Sequence, residues 1–290
     1  MIPIVFLLIS VIGGASAGLV KYTVNQFPPI SLVLLRSAIS FLIILPFFLK
    51  ESPKIITDKK LLLAGVLFAA NWILFAFGIQ RSSIIMSQAL YIPVPIIVAF
   101  LGYIFLKEKL SKSHIIGLLL SLIGISFLLF ESIGSQDVIS FGTPLGNLLV
   151  ACGVFAWSFY LIVSRKISNL YSPITIIVYN FTLAFFASLF LFPIELSTNQ
   201  LPADITGQSV LGVFALALFS SVIVFYLIQW LVKYTSAFIP SLTLYLTSIF
   251  GSVVGIIFYG ERLSTRFIIG AMLIFAGVFI ATTLGYIRKR

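Results

Sequence analysis

The segment Phe105–Phe127, FLKEKLSKSHIIGLLLSLIGISF, returns 153 positions later as Phe258–Ile280, FYGERLSTRFIIGAMLIFAGVFI. Nine of the 23 aligned positions are identical: Phe105/Phe258, Glu108/Glu261, Leu110/Leu263, Ser111/Ser264, Ile115/Ile268, Ile116/Ile269, Gly117/Gly270, Leu120/Leu273 and Gly124/Gly277. Shared apolar composition accounts for matches among Ile, Leu and Phe. It does not place a Glu, a Ser and two Gly in register, so the pair reads as an internal duplication.

The duplication sits in a chain whose solvent is lipid. Apolar residues make up 60% of it, charged residues 9%, and the mean hydropathy is +1.19. A soluble domain carries about 25% charged residues, and a chain this apolar cannot cover itself with polar surface. The single cysteine, Cys152, excludes an internal disulfide framework and any multi-cysteine metal site; it reads as a small buried residue. His114 stands without an acidic or cysteine cluster and makes no metal site. There is no phosphate loop, nucleophile elbow or pair of catalytic carboxylates, so neither a metal nor a cofactor is expected.

A helix needs about 20 mostly apolar residues to cross a bilayer. Ten such runs follow one another at 2–21, 29–49, 61–80, 84–106, 113–131, 144–164, 173–193, 209–231, 236–259 and 265–286. The longest connections, 132–143 and 194–208, have no room for a folded domain. The function is therefore expected within the membrane. In the first run, Ala15-Ser16-Ala17 resembles a signal-peptidase site, but no Lys or Arg precedes it, as a signal peptide requires. Gly14 and Gly18 read instead as a GxxxG packing face.

The formal charge of +10 is asymmetrically placed. With the N-terminus in the cytoplasm, inner loops and the C-terminal end hold thirteen Lys or Arg, and the outer side holds four: Lys21, Arg81, Arg262 and Arg266. The positive-inside rule then predicts both termini in the cytoplasm, and the basic balance needs no nucleic-acid partner. Five spans separate each glutamate-containing segment from its copy. Five is odd, so the halves, 1–131 and 144–286, are predicted to lie upside down relative to each other. Pro29-Ile30-Ser31 and Pro173-Ile174-Thr175 repeat the relation in the second and seventh spans and make Arg36 equivalent to Asn180. The expected fold is an all-α polytopic membrane protein, ten transmembrane helices in two inverted five-helix repeats. Such repeats are the architecture of secondary transporters with a site near the midplane.

Over nearly its full length the chain resembles the EamA family of the drug/metabolite transporter superfamily. The resemblance is carried by several features in order: a Gly/Ala-rich first span ending at Lys21; the Pro28-Pro29 entry to a second span containing Arg36; the Ala156-Trp157-Ser158 stretch of the sixth; and the turns Leu106-Lys107-Glu108-Lys109-Leu110-Ser111 and Gly260-Glu261-Arg262-Leu263-Ser264. It implies ten helices in two inverted repeats, location in the cell membrane, and export of small metabolites such as amino acids. The related small multidrug exporters use a first-span Glu; none stands there in this chain.

All eight acidic residues lie at span ends or in loops, so no mid-membrane carboxylate offers a proton relay; a carrier driven by its substrate gradient is one expectation, with protonation of a loop-level carboxylate as the alternative. Glu108 and Glu261 each precede by three residues a Ser that can cap the next helix, and read as fixing the turn, with a gating role as the alternative. Arg36, about two turns into its span, either snorkels to the headgroups or faces a cavity and holds an anion. Trp72 and Trp157 fall near the middle of their spans, although Trp usually collects at the membrane surfaces. With Asn71, Ser87, Tyr91, Tyr179, Asn180, Tyr226, Gln229, Trp230, Tyr245 and Ser248 they form a set able to line an aromatic, polar substrate cavity, or alternatively to glue helices together. Pro93 and Pro95 release backbone carbonyls in the fourth span.

The sequence reading is a secondary exporter of small organic metabolites working by alternating access. Spans one to four and six to nine would enclose the cavity, and the fifth and tenth would be supports or dimer contacts. Its partners are a small-molecule substrate and the bilayer, as a monomer or homodimer. The alternative is a polytopic membrane enzyme acting on a lipid or isoprenoid. Such an enzyme needs clustered acids, His or Cys to bind metal or move protons, and here the acids are scattered.

Overall fold

The computed structural model describes residues 2–51, 57–107, 112–134, 137–197 and 205–280. Among them every regular element is helical. The first half contains α1 (Ile2–Val24), α2 (Pro29–Lys50), α3 (Lys59–Arg81), α4 (Ile84–Tyr91), α5 (Val94–Leu106) and α6 (Lys112–Gly134). A short α7 (Val138–Phe141) leads to α8 (Pro144–Ile167), α9 (Pro173–Ser197) and α10 (Gly207–Ala215). A π-helical segment, Leu216–Ile223, joins α10 to α11 (Val224–Tyr234), and α12 (Phe238–Ser241), α13 (Thr243–Tyr259) and α14 (Thr265–Phe279) follow. Among the described residues eight helical stretches are long and apolar enough to cross a membrane; Ile115–Gly124 and Thr265–Gly277 are shorter apolar helices.

Local chemistry sets these boundaries. Proline, with its φ fixed and no N–H to lose, starts α2, α8 and α9. Asp58, Ser83, Thr143 and Ser264 accept backbone N–H bonds as N-caps of α3, α4, α8 and α14. Thr206 and Ser209 form a reciprocal capping box at α10. α5 and α13 both end on a left-handed residue, Lys107 (φ 57) and Gly260 (φ 64), 153 positions apart like the sequence copies that contain them.

Small residues bring helices into backbone contact. A Cβ at Gly14 of α1 would lie 2.9 Å from the Gly251 amide nitrogen of α13, and one at Gly18 would lie 2.5 Å from Val254. Gly124 of α6 lies against the Gly270 carbonyl of α14 in the same way. α3 packs on α8 and α9, α2 on α9, and α4 between α8 and α13. The core is aromatic. Phe68 has Trp72, Tyr160, Phe181 and Phe225 around it at centroid distances of 4.5 to 5.9 Å. The outside is apolar too: Phe190 is 82% and Phe258 75% exposed, which suits a lipid solvent. Cys152 corrects one expectation. It is exposed, not buried, because its position on α8 points away from the packed face.

Polar ties join helix ends, where four N–H or C=O groups lack intrahelical partners. The Lys21 ammonium donates to the carbonyls of Ile79, Gln80 and Ser82 at the end of α3. Arg165, at the end of α8, donates to the carbonyls of Val232 and Lys233 at the end of α11. Glu195, at the end of α9, accepts from the amides of Ile30 and Ser31 at the start of α2. Glu51, at the end of α2, accepts from the hydroxyls of Ser172 and Thr175 at the start of α9. Cations on C-termini and carboxylates on N-termini follow the sign of the helix dipole.

Candidate functional site

Two of the long stretches are interrupted. The 84–106 stretch breaks between Tyr91 and Val94, where Pro93 and Pro95 cannot donate to the helix ladder. The 238–259 stretch breaks at Leu242, two residues after Pro240. A third irregularity is the π segment, whose widened turn places Ser220 and Ser221 against α2.

The irregular segments meet at a cavity of about 140 Å³. Its wall is aromatic, made by Trp72, Phe75, Tyr91, Trp157 and Phe225. Arg36, Asn71, Gln88, Ser220, Thr243 and Thr247 add polar groups, and Gly13, Ser16 and Ala17 of α1 leave room. The lining comes from α1 to α4, α8, the π segment and α11 to α13; among the described residues none of α6, α9 or α14 takes part.

Arg36 is buried, so it does not snorkel to the headgroups. Its Nε donates to Ser221 Oγ at 2.8 Å and its Nη2 to Ser220 Oγ at 3.0 Å. The Ser221 hydroxyl gives its own proton to the Leu216 carbonyl five residues earlier, the π spacing, which turns its lone pairs toward the guanidinium. The Arg36 Cζ stands 4.0 Å from the centre of the Trp72 ring, a cation–π arrangement. Among the described residues no carboxylate lies within ion-pair reach of it. Asn71 donates to Tyr91 Oη at 2.6 Å and to the Gly153 carbonyl at 2.9 Å. The indole N–H of Trp157 is buried and has no acceptor among the described residues.

The structure thus gathers Arg36, Asn71, Trp72, Tyr91 and Trp157 of the residues expected at a substrate cavity. Others lie elsewhere. Ser87 is buried and bonded to the Ser83 carbonyl within α4. Ser248 joins α13 to the Gln88 carbonyl. Asn180 and Gln229 both donate to the Tyr160 hydroxyl, at 2.5 and 2.6 Å, in a second polar cluster beside the cavity. Trp230 stacks on Tyr234, Tyr226 is exposed, and Tyr179 and Tyr245 are half-buried, the latter with a buried hydroxyl that has no partner among the described residues. Glu261 accepts the amides of Ile84 and Ile85 at 2.7 Å, so it caps α4 as well as shaping its own turn. Glu108 lies outside the described residues. Sequence reading misses Gln88, Phe75, Phe225 and Ser220; the last sits in a helix whose π register leaves no mark in the residue pattern.

A solved crystal structure matches with a TM-score of 0.64 at 19% identity, covering 95% of this chain and 98% of its own. An uncharacterized transporter of Bacillus subtilis, YyaM, is 27% identical over 99% of this chain and 94% of itself. A second from the same organism, YetK, is 28% identical over 74% of this chain and 66% of itself. An uncharacterized transporter of Clostridium kluyveri is 23% identical over 87% of this chain. The model of the EamA-like transporter family matches residues 1–130 and 144–283, and the chain, a multi-pass membrane protein, belongs to that family.

Proposed function

We propose that the chain is a secondary transporter that exports small organic metabolites of about amino-acid size by alternating access. The observation that carries the reading is the cavity, placed where two Pro-interrupted spans and a π segment converge and lined by both halves of the chain. Paired interrupted helices in the two halves are the best pointer to a transport site. The cavity is close to the roughly 150 Å³ that holds benzene, and well below the roughly 300 Å³ at which drug-sized pockets begin.

Alternating access rests here on two inverted five-span halves, with α6 and α14 as the fifth and tenth spans. The reciprocal ties support that arrangement. The first span's Lys21 holds the end of α3, and the sixth span's Arg165 holds the end of α11. Glu51 and Glu195 exchange caps between α2 and α9. The positive-inside count supports cytoplasmic termini in a cell membrane. The α6–α14 pair, outside the cavity wall, is available as a support or as a contact between two copies.

Counterflow in proteoliposomes against a labelled metabolite panel tests the function. Saturable exchange of an unmodified compound supports it. Chemical conversion of a compound would move the protein to the membrane-enzyme reading, and non-saturable flux without counterflow would make it a channel. Exchange assayed in inside-out and right-side-out vesicles gives the direction.

A further inference from the structure

We infer that the cavity selects small monoanions, organic acids carrying one carboxylate on an apolar or aromatic body and no ammonium group. This rests on the transporter reading and narrows it. Among the described residues Arg36 is the only Lys, Arg, Asp or Glu in the cavity wall. A guanidinium carries five N–H donors; the two serines take two, and the remaining three have no acceptor among the described residues. Those three lie on the Nη1/Nη2 edge, the fork that meets a carboxylate with two parallel bonds. A buried charge without a partner is costly, and Trp72 relieves only part of that cost. A ligand of charge −1 neutralises the site; a dianion such as phosphate leaves a net negative charge buried. The unpaired Trp157 N–H adds a second donor and no acceptor. Among the described residues a cationic or zwitterionic ligand finds no carboxylate in the wall for its ammonium, only the carbonyl oxygens of Asn71 and Gln88 and hydroxyls. The aromatic walls and the volume of about 140 Å³ suit a body of benzene size.

The test uses the full-length protein in nanodiscs, with benzoate, benzamide, benzylammonium and inorganic phosphate as probes, read by calorimetry and by quenching of tryptophan fluorescence. Benzoate is expected to bind about tenfold or more tightly than benzamide, as a charge-assisted bidentate pair outweighs a neutral one, with benzylammonium and phosphate not binding. Arg36→Gln should bring benzoate down to the benzamide level, and Arg36→Lys should keep the preference for the anion at reduced affinity. Trp157→Phe should weaken benzoate severalfold and benzamide less, because a carboxylate is a stronger acceptor for the indole N–H than a neutral amide carbonyl. The wild-type comparison needs no variant to fold. Equal affinities for benzoate and benzamide, tighter binding of benzylammonium or phosphate, or a folded Arg36→Gln protein that still prefers benzoate each overturn the inference. Counterflow of neutral amino acids without benzoate binding would sink the monoanion assignment and leave transport standing. Benzoate binding with no compound moving would sink transport and leave the anion site standing.

Discussion

The guanidinium of Arg36 lies over Trp72, 4.0 Å from the ring centre to Cζ, inside the bundle and without a carboxylate partner among the described residues. The indole belongs to α3 and the cation to α2, so the contact joins two walls of the cavity. A desolvated cation–π pair is worth about 2 kcal/mol.

Trp72→Leu is therefore expected to lower substrate affinity by roughly tenfold, since about 1.4 kcal/mol corresponds to a factor of ten, because the cation loses its support and its aim. Trp72→Phe keeps a ring under the cation and should fall between Leu and wild type. Counterflow with a substrate identified by the panel screen, alongside thermal unfolding of the same variants, separates loss of aim from loss of fold. Equal flux in all three proteins would show that the ring plays no part in binding.

Close approach of α1 and α13 gives a stability prediction with an internal control. A side chain at Gly14 runs into Phe250 and the Gly251 backbone, so the helices must separate. Gly14→Val should cost several kcal/mol, above the about 1–3 kcal/mol of ordinary overpacking, because backbone cannot move as a side chain can. Gly207, the first residue of α10, has nothing within 4 Å of where a methyl group would stand and no positive φ; Gly207→Ala should leave stability unchanged or raise it slightly. Unfolding midpoints in one detergent compare the pair.

The Gly14 contact also shows which features can be read ahead of the structure. GxxxG spacing is a property of one helix, so Gly14/Gly18 and Gly251/Gly255 are visible as packing faces, as are the Pro-based breaks and the polar turn repeated at Glu108 and Glu261. Mid-span Trp72 and Trp157 are legible from their depth alone. What a helix does to a side chain beyond its depth is not. Asn180, Gln229 and Ser248 have the composition of a cavity wall, yet each bonds to another helix, and the direction depends on rotation about an axis that residue type does not encode. Tyr226 lies one position from the lining residue Phe225 and turns outward. For Arg36 the sequence balances headgroup against interior; the π segment, with no sequence signature, decides it by supplying two hydroxyls at the depth of the guanidinium.

Glu261 gives a pH dependence. Burial raises its carboxyl above the ordinary value, opposed by the amides of Ile85 and Ile84 and by the charge of Lys21. The native protein then holds that proton more tightly than the unfolded chain does. This group adds stability below the ordinary carboxyl pKa and loses the contribution as pH rises through its raised native value. Thermal midpoints between about pH 4 and pH 8 should fall with rising pH by an amount that shrinks in Glu261→Gln. Identical slopes for the two proteins would remove Glu261 from the pH response.

Two tyrosines that look alike in sequence should separate in function. The Tyr160 hydroxyl is fully buried and receives the carboxamides of Asn180 and Gln229, outside the cavity wall. Tyr160→Phe leaves the Asn180 carboxamide facing a ring edge, while Gln229 keeps Ser164 Oγ as a second acceptor; a buried polar group left without its partner costs about 1–3 kcal/mol, so stability should fall. Flux per folded molecule should hold, because nothing that touches substrate has changed. Tyr91 lines the cavity and accepts a single bond, from Asn71, which keeps a second acceptor in the Gly153 carbonyl. Tyr91→Phe should therefore cost less stability and more flux, and Tyr91→Ala should reduce flux further by opening the wall. Counterflow normalised to the folded fraction measures the contrast. If Tyr160→Phe lost flux with its stability intact, the second polar cluster would have to be counted as part of the transport site.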